Sequence, residues 1–259
     1  MPTGPRAALE RFIADLTASV TLRTDVVGLV LVGSAAQLER ADEWSDCDFF
    51  LVTEDGAQEA YRTDLSWLPD ASRLVLAVRE TAHGLKAVYD DGMVAEFAVF
   101  SPEELWLAQV NTSRVAVDRG RVADTVTVLA GRPRASVVVD PVREAGMFVS
   151  LLLIGVGRAR RGEVLAAGQH IRSHALGHLL TLLRLGLGPA SVQRLDDLDP
   201  FRRVELVAPA LAAEITRALE SDPESCARSL LALAEREVGG GRDGWPADAA
   251  AAVRRRLGW

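Results

Sequence analysis

The chain is short of several things, and each shortage narrows what it can be. Two cysteines in 259 residues, Cys47 and Cys226, are too few for the disulfide framework of a small secreted fold. No apolar run approaches the roughly 20 residues that cross a bilayer; the longest, over 147–157, stops well short. Nothing in 1–11 has the apolar centre of a secretory signal. The cytoplasm is therefore the expected compartment, with no membrane partner. Basic charge is also scarce: 29 Lys/Arg face 36 Asp/Glu, a net charge of −7. That balance argues against tracking a nucleic-acid backbone. Lysine is nearly missing, with Lys86 the one example and arginine supplying every other cation. Internal repeats are absent, and so are low-complexity tracts beyond Ala-rich helix.

What is present suits a globular protein with a substantial core: 49% hydrophobic and 25% charged residues. The length allows one large domain or two of ordinary size. Two are expected, because the pattern changes after Asp140-Pro141. Residues 1–139 alternate strand and helix signals, with a helix over 9–19, strands near 28–32 and 47–52, and a helix near 57–68. Further strands follow near 73–79, 86–89, 94–100, 114–117 and 137–139. Ser101-Pro102-Glu103-Glu104 reads as a short helix start, with serine as cap and acids at the positive end. Residues 140–259 read as helices alone, over 142–161, 163–185, 200–219, 223–238 and 246–257. The fold class is thus α+β, a mixed-sheet domain over 1–139, followed by an all-α domain over 140–259. The first part holds 13 Lys/Arg against 21 Asp/Glu and the second 16 against 15. A carboxylate-rich half beside a more basic one suits a cleft for a triphosphate with its metals.

The densest chemical signal lies in 28–52. A buried strand ends at Gly33, which can bring its backbone close to a ligand because it has no Cβ. Ser34 adds a hydroxyl and an N–H where a helix begins, a place that suits phosphate oxygens. Twelve residues on, Asp46 and Asp48 flank Cys47 at the entry to the next strand. Residues two apart on a strand share a face, so the carboxylates stand side by side while Cys47 points into the core. Two such acids repel unless a cation sits between them, and hard oxygen ligands at this spacing suit Mg²⁺. Glu96 is the one charge within the apolar run 93–100. A charge in a buried strand is tolerated when paired or bound to metal; the alternative is a glutamate on the outward face of a half-exposed strand. Asp90-Asp91-Gly92 reads as a hairpin turn instead of a ligand cluster, and Asp42-Glu43 as the loop leading to Asp46.

Gly33-Ser34, a gap of about ten residues and then Asp46-Cys47-Asp48 resemble the signature of the polymerase-beta-like nucleotidyltransferase superfamily. The string 42–48, DEWSDCD, is similar to that of antibiotic nucleotidyltransferases acting on lincosamides and aminoglycosides. Beyond it, 96–102 resembles the strand carrying a third carboxylate, and 114–119 the strand that follows. Arg161-Gly162-Glu163 and the 172–184 helix resemble the helical second domain of those enzymes. One departure is Gln37-Leu38, standing where many relatives have Arg-Gly.

The resemblance implies transfer of a nucleoside monophosphate, most often AMP from ATP, to a hydroxyl of a small molecule such as an antibiotic. It implies Mg²⁺ held by Asp46, Asp48 and Glu96, with Glu96 also taking the proton of the acceptor hydroxyl. Gly33, Ser34 and Arg161 are the implied nucleotide-binding residues. Two other readings stay open: a protein-AMPylating enzyme, and a non-catalytic nucleotide-binding module. The sequence also leaves a homodimer open.

The helical half offers two weaker constellations. His170, His174 and His178 recur every four residues along one helix face. Three on a straight helix fit tetrahedral zinc poorly, the outer two being about 12 Å apart, so packed histidines or a substrate-facing stripe are preferred. Arg158, Arg160 and Arg161 could meet phosphate or form a solvated basic helix end.

Overall fold

In the computed structural model, residues 5–110, 112–132, 139–196, 199–240 and 244–259 are described. They fall into two compact units, Met1–Pro133 and Arg134–Trp259.

The first unit is built on a six-stranded sheet. Its strands are β1 (Val26–Val32), β2 (Cys47–Thr53), β3 (Leu74–Arg79), β4 (Gly84–Tyr89), β5 (Val94–Phe100) and β6 (Ser113–Asp118), in the order β3-β4-β5-β2-β1-β6. β1 runs antiparallel to both β2 and β6, and β3–β4 and β4–β5 are antiparallel, whereas β2 and β5 pair in parallel. Four short or medium helices belong to this unit: α1 (Pro5–Thr21), α2 (Gly33–Ala36), α3 (Gln58–Thr63) and α4 (Val122–Gly131).

Alternation along the strands divides the apolar residues between two faces. On one face, Leu9, Phe12, Ile13 and Leu16 of α1 lie over Leu29, Leu31, Phe49, Leu51, Phe97 and Val99. Phe49 and Phe97 are register partners and stack at 4.9 Å between ring centroids. On the other, Val122, Val126 and Leu129 of α4 cover Val30, Val52 and Phe100. Arg119 ties sheet to helix by donating to the Thr21 and Arg23 carbonyls at the end of α1.

The expected helix over 57–68 is shorter, ending at Thr63, where Asp64 turns extended; the segment after it buries Trp67, whose indole N–H donates to the Tyr61 carbonyl. Ser101 does cap a turn, a 3₁₀ one over Glu104–Leu107. Its hydroxyl accepts from the Glu104 N–H while the Glu104 carboxylate accepts from the Ser101 N–H, a reciprocal box that satisfies two orphan donors. Of the strand expected over 137–139, residues 137 and 138 lie outside the described set.

The second unit is helical: α5 (Pro141–Arg160), α6 (Val164–Gly168), α7 (Leu176–Arg184), α8 (Pro189–Val192), α9 (Val204–Val207), α10 (Pro209–Leu219), α11 (Pro223–Ala234) and α12 (Ala247–Leu257). Asp140 and Asp222 cap α5 and α11, accepting from N–H groups of the first turn, with proline just inside each helix. Phe148, Leu152 and Val156 of α5 are fully buried among α7 and α11 residues such as Leu179 and Leu230. Gly155 lets Ile171 approach closely, since a Cβ there would lie 2.5 Å from Ile171 Cγ1. The helix expected over 200–219 is broken at Ala208 (φ −137°, ψ 65°). Pro209 explains the break, because proline drives the preceding residue out of helical geometry. The 163–185 helix is continuous but π-helical over Gln169–Ala175, which carries His170 and His174.

Candidate active site

Strand register assembles the site. Asp48 on β2 is the partner of Glu96 on β5, and Glu96 is in turn the partner of Lys86 on β4. The three side chains therefore form one row across three neighbouring strands. Alternation puts Asp48 and Glu96 on the face that carries Phe50 and Ala98, beyond the edge of the apolar cluster under α4. Asp46, two residues before Asp48, completes the group. Ligand atoms of Asp46, Asp48 and Glu96 all lie within 4.8 Å of one another, and each residue is half-buried. Among the described residues this is the one group of three side chains placed to hold a metal ion.

Glu96 is thus where the sequence put it, but for a different reason. Its side chain is 43% exposed, so it is not a charge forced into a buried strand. It occupies the half-exposed face of β5, whose alternate residues Ala95 and Phe97 are buried. Cys47 faces the opposite way and is fully buried. Burial first, and then the Asp48 and Asp46 charges, push its thiol well above the usual range, so it stays protonated and inert.

Gly33 and Ser34 shape the rim. Gly33 opens α2 in the left-handed region (φ +57°), and a Cβ on it would lie 2.8 Å from Asp48 Oδ2. Only glycine allows this conformation and this approach without strain. Its N–H donates to the Thr112 carbonyl at 3.3 Å, and the Ser34 hydroxyl donates to the Asp46 carbonyl at 3.2 Å. Ser34 thus braces the acid loop, whereas Gly33 is tied to the residue before β6. In the same loop, Asp42 accepts from the Trp44 N–H and the Ser45 hydroxyl, closing the turn before Asp46. Gln37 accepts from Arg40 at 2.8 Å. Asp91 caps the β4–β5 hairpin by accepting from Met93 N–H, the turn role expected for it.

Sequence reasoning missed Lys86 and Glu80. The Lys86 ammonium lies 3.4 Å from Glu96 Oε2 and 3.0 Å from Glu80 Oε1. Hydrogen bonding to Glu80 and the charge of Glu96 raise its pKa. The signal that could have found it was its singularity as the chain's lysine, together with its placement on a strand next to that of Glu96.

In the second unit, Arg158 and Arg161 both reach Glu163, at 2.6 and 3.1 Å, and Arg160 forks onto Glu224. These pairings, together with the Arg160 donation to the Leu257 carbonyl, give the three arginines protein partners. Of the histidine stripe, His174 is exposed while His170 and His178 are half-buried; the His170 and His174 rings meet edge-on at 5.9 Å, and His178 pairs with Glu144.

No protein-family model matches the chain, and no curated protein matches it. Solved structures similar to it include a nucleotidyltransferase-like protein from Exiguobacterium sibiricum, with 13% identity over 95% of this chain and 80% of that one, TM-score 0.38. An aminoglycoside 6-adenyltransferase from Bacillus subtilis has 12% identity over 95% and 90%, TM-score 0.32. The E. coli MS115-1 CdnC:HORMA-deltaN complex contains a chain with 13% identity over 91% and 90%, TM-score 0.29. At such distances the functional reading rests on the chain's own site. No helix among the described residues is long and apolar enough to cross a membrane.

Proposed function

We propose that the protein is a nucleotidyltransferase, transferring a nucleoside monophosphate, AMP from ATP, to a hydroxyl of a small molecule, with an antibiotic of the lincosamide or aminoglycoside kind as acceptor. The observation that carries this reading is the meeting of Asp46, Asp48 and Glu96 within 4.8 Å beside the left-handed Gly33. An all-carboxylate donor set, half-exposed and crowded, fits a hard divalent cation such as Mg²⁺. When bound, such ions supply charge neutralisation for in-line displacement at phosphorus.

The chain's own residues divide the work. Asp46 and Asp48 would hold the ions, and Glu96 would share in this while accepting the proton of the attacking hydroxyl. The hydroxyl oxygen bonds to the α-phosphorus, the bond to the bridging oxygen breaks, and pyrophosphate leaves. Gly33 and Ser34 border the triphosphate, where the absence of a Cβ keeps room beside Asp48. Residues 1–139 form the nucleotidyltransferase domain and 140–259 a separate helical one. Arg161 of the helical unit is retained as a candidate nucleotide contact on the resemblance alone; an unchanged KM for ATP in Arg161→Ala would remove it from this list.

The test is incubation with Mg²⁺, ATP and a panel of lincosamides and aminoglycosides, followed by mass spectrometry. A mass gain of one adenylate on a drug supports the reading. Transfer to none of them ends the antibiotic assignment, and label from ATP appearing on protein in a lysate would replace it with protein AMPylation.

A further inference from the structure

We propose that Lys86 is a built-in counter-cation of the acid group, a positioning residue that competes with free divalent ions for Glu96. The inference rests on the reading of Asp46, Asp48 and Glu96 as a metal site, and goes beyond it by giving the metal-free site an occupant. Three observations support it. Lys86 is cross-strand partner to Glu96, which is itself partner to Asp48, so its ammonium reaches the group along the row. The ammonium lies between two carboxylates, 3.4 Å from Glu96 and 3.0 Å from Glu80. Glu80 follows directly on β3, outside the acid trio, and offers Lys86 a second place to rest. Lysine also differs from arginine here: it is a compact point charge on a flexible stem, which can exchange partners without breaking a two-pronged fork.

The physical consequence is a balance. With Lys86 on Glu96, one positive charge already offsets the mutual repulsion of the carboxylates, and an incoming cation meets a weaker field. When Lys86 moves fully to Glu80, Glu96 is released to the trio. A free divalent ion is therefore held more weakly than by the three carboxylates alone. Glu80 sets the balance, since it draws Lys86 away.

The experiment is titration of the full chain with Mn²⁺ in the absence of nucleotide, followed by electron paramagnetic resonance. Lys86→Met is expected to bind Mn²⁺ about ten-fold more tightly than wild type. Glu80→Gln should bind about three-fold more weakly, because Lys86 then rests on Glu96 alone. A purely structural ion pair would move neither affinity, or both in one direction, so opposite shifts are the signature. Equal or weaker binding in Lys86→Met overturns the inference while leaving the metal site intact. Absence of Mn²⁺ binding in wild type overturns the metal reading itself and the inference with it. Glu80→Gln keeps the test decisive should Lys86→Met fold poorly, which melting curves would reveal.

Discussion

In the helical unit, carboxylates and guanidiniums meet in matched pairs. Arg160 forks onto Glu224, Arg236 onto Glu214 and Arg254 onto Glu235, while Glu163 is shared by Arg158 and Arg161. In the sheet unit, three carboxylates crowd within 4.8 Å, and the lysine that reaches Glu96 is divided with Glu80. The two arrangements differ in what they leave open. A forked pair satisfies both partners and presents no further valence, and at the surface it contributes little to stability. Crowded acids lose stability through repulsion and gain an affinity for cations. Acidic residues occur in both parts of the chain, 21 over 1–139 and 15 over 140–259, but chemistry is expected only where they converge.

Four substitutions would break or sharpen this contrast. The largest effect is expected from Asp48→Asn, which removes charge at the β2 end of the row. Transfer should fall by roughly a thousand-fold with the circular dichroism spectrum unchanged; activity like wild type would end the contrast. Glu96→Gln should cost about a hundred-fold in kcat, within the usual range for a lost general base, and less in KM for ATP. Gly33→Ala is next. Left-handed geometry costs an alanine about 1 kcal/mol, and its methyl would press on Asp48, so a ten-fold loss of kcat together with a lower melting midpoint is expected.

The smallest effect belongs to the paired region. Hydrogen bonding from Arg160 holds the Glu224 carboxyl below its ordinary value of 4.5. The sign follows directly: the pair stabilises the fold fully above that value and ceases to do so as pH falls through the lowered one. Glu224→Gln should therefore lower the melting midpoint at pH 7 by about 2 °C or less, with the gap closing as pH falls below the ordinary carboxyl value of 4.5 and transfer activity untouched. A large activity loss here would mean that the paired arginines are not chemically closed.

Much of the sheet unit could be read from its residues, because strand alternation is a short-range property. The period of two placed Asp46 and Asp48 together and turned Cys47 inward, and apolar runs marked β1, β2 and β5 to within a few residues. Of the two readings of Glu96 open in the sequence, a charge forced into a buried strand fails and a glutamate on the outward face of a half-exposed strand holds, since β5 is buried on alternate residues only over 94–98. Lys86 escaped notice because its role depends on which strands are neighbours, and the order β3-β4-β5-β2-β1-β6 is a long-range outcome. The arginine pairs of the helical unit escaped for the same reason: Arg160 and Glu224 are 64 residues apart. Asp-Pro starts at 140–141 and 222–223 were legible, since a cap is local. The break at Ala208 was written in Pro209 and was passed over.

The parallel pairing of β2 with β5 carries one more consequence. Chain leaving β2 must travel back to the start of β5, and here that return includes α3, β3 and β4. Its length has no bearing on which residues of β2 and β5 end up opposite each other. The detour can therefore be lengthened or trimmed in evolution without parting Asp48 from Glu96, whereas sliding one strand by a single residue would rotate the glutamate into the hydrophobic layer. The sequence separation of Asp48 and Glu96 therefore says nothing about their pairing; the ladder rung alone fixes it.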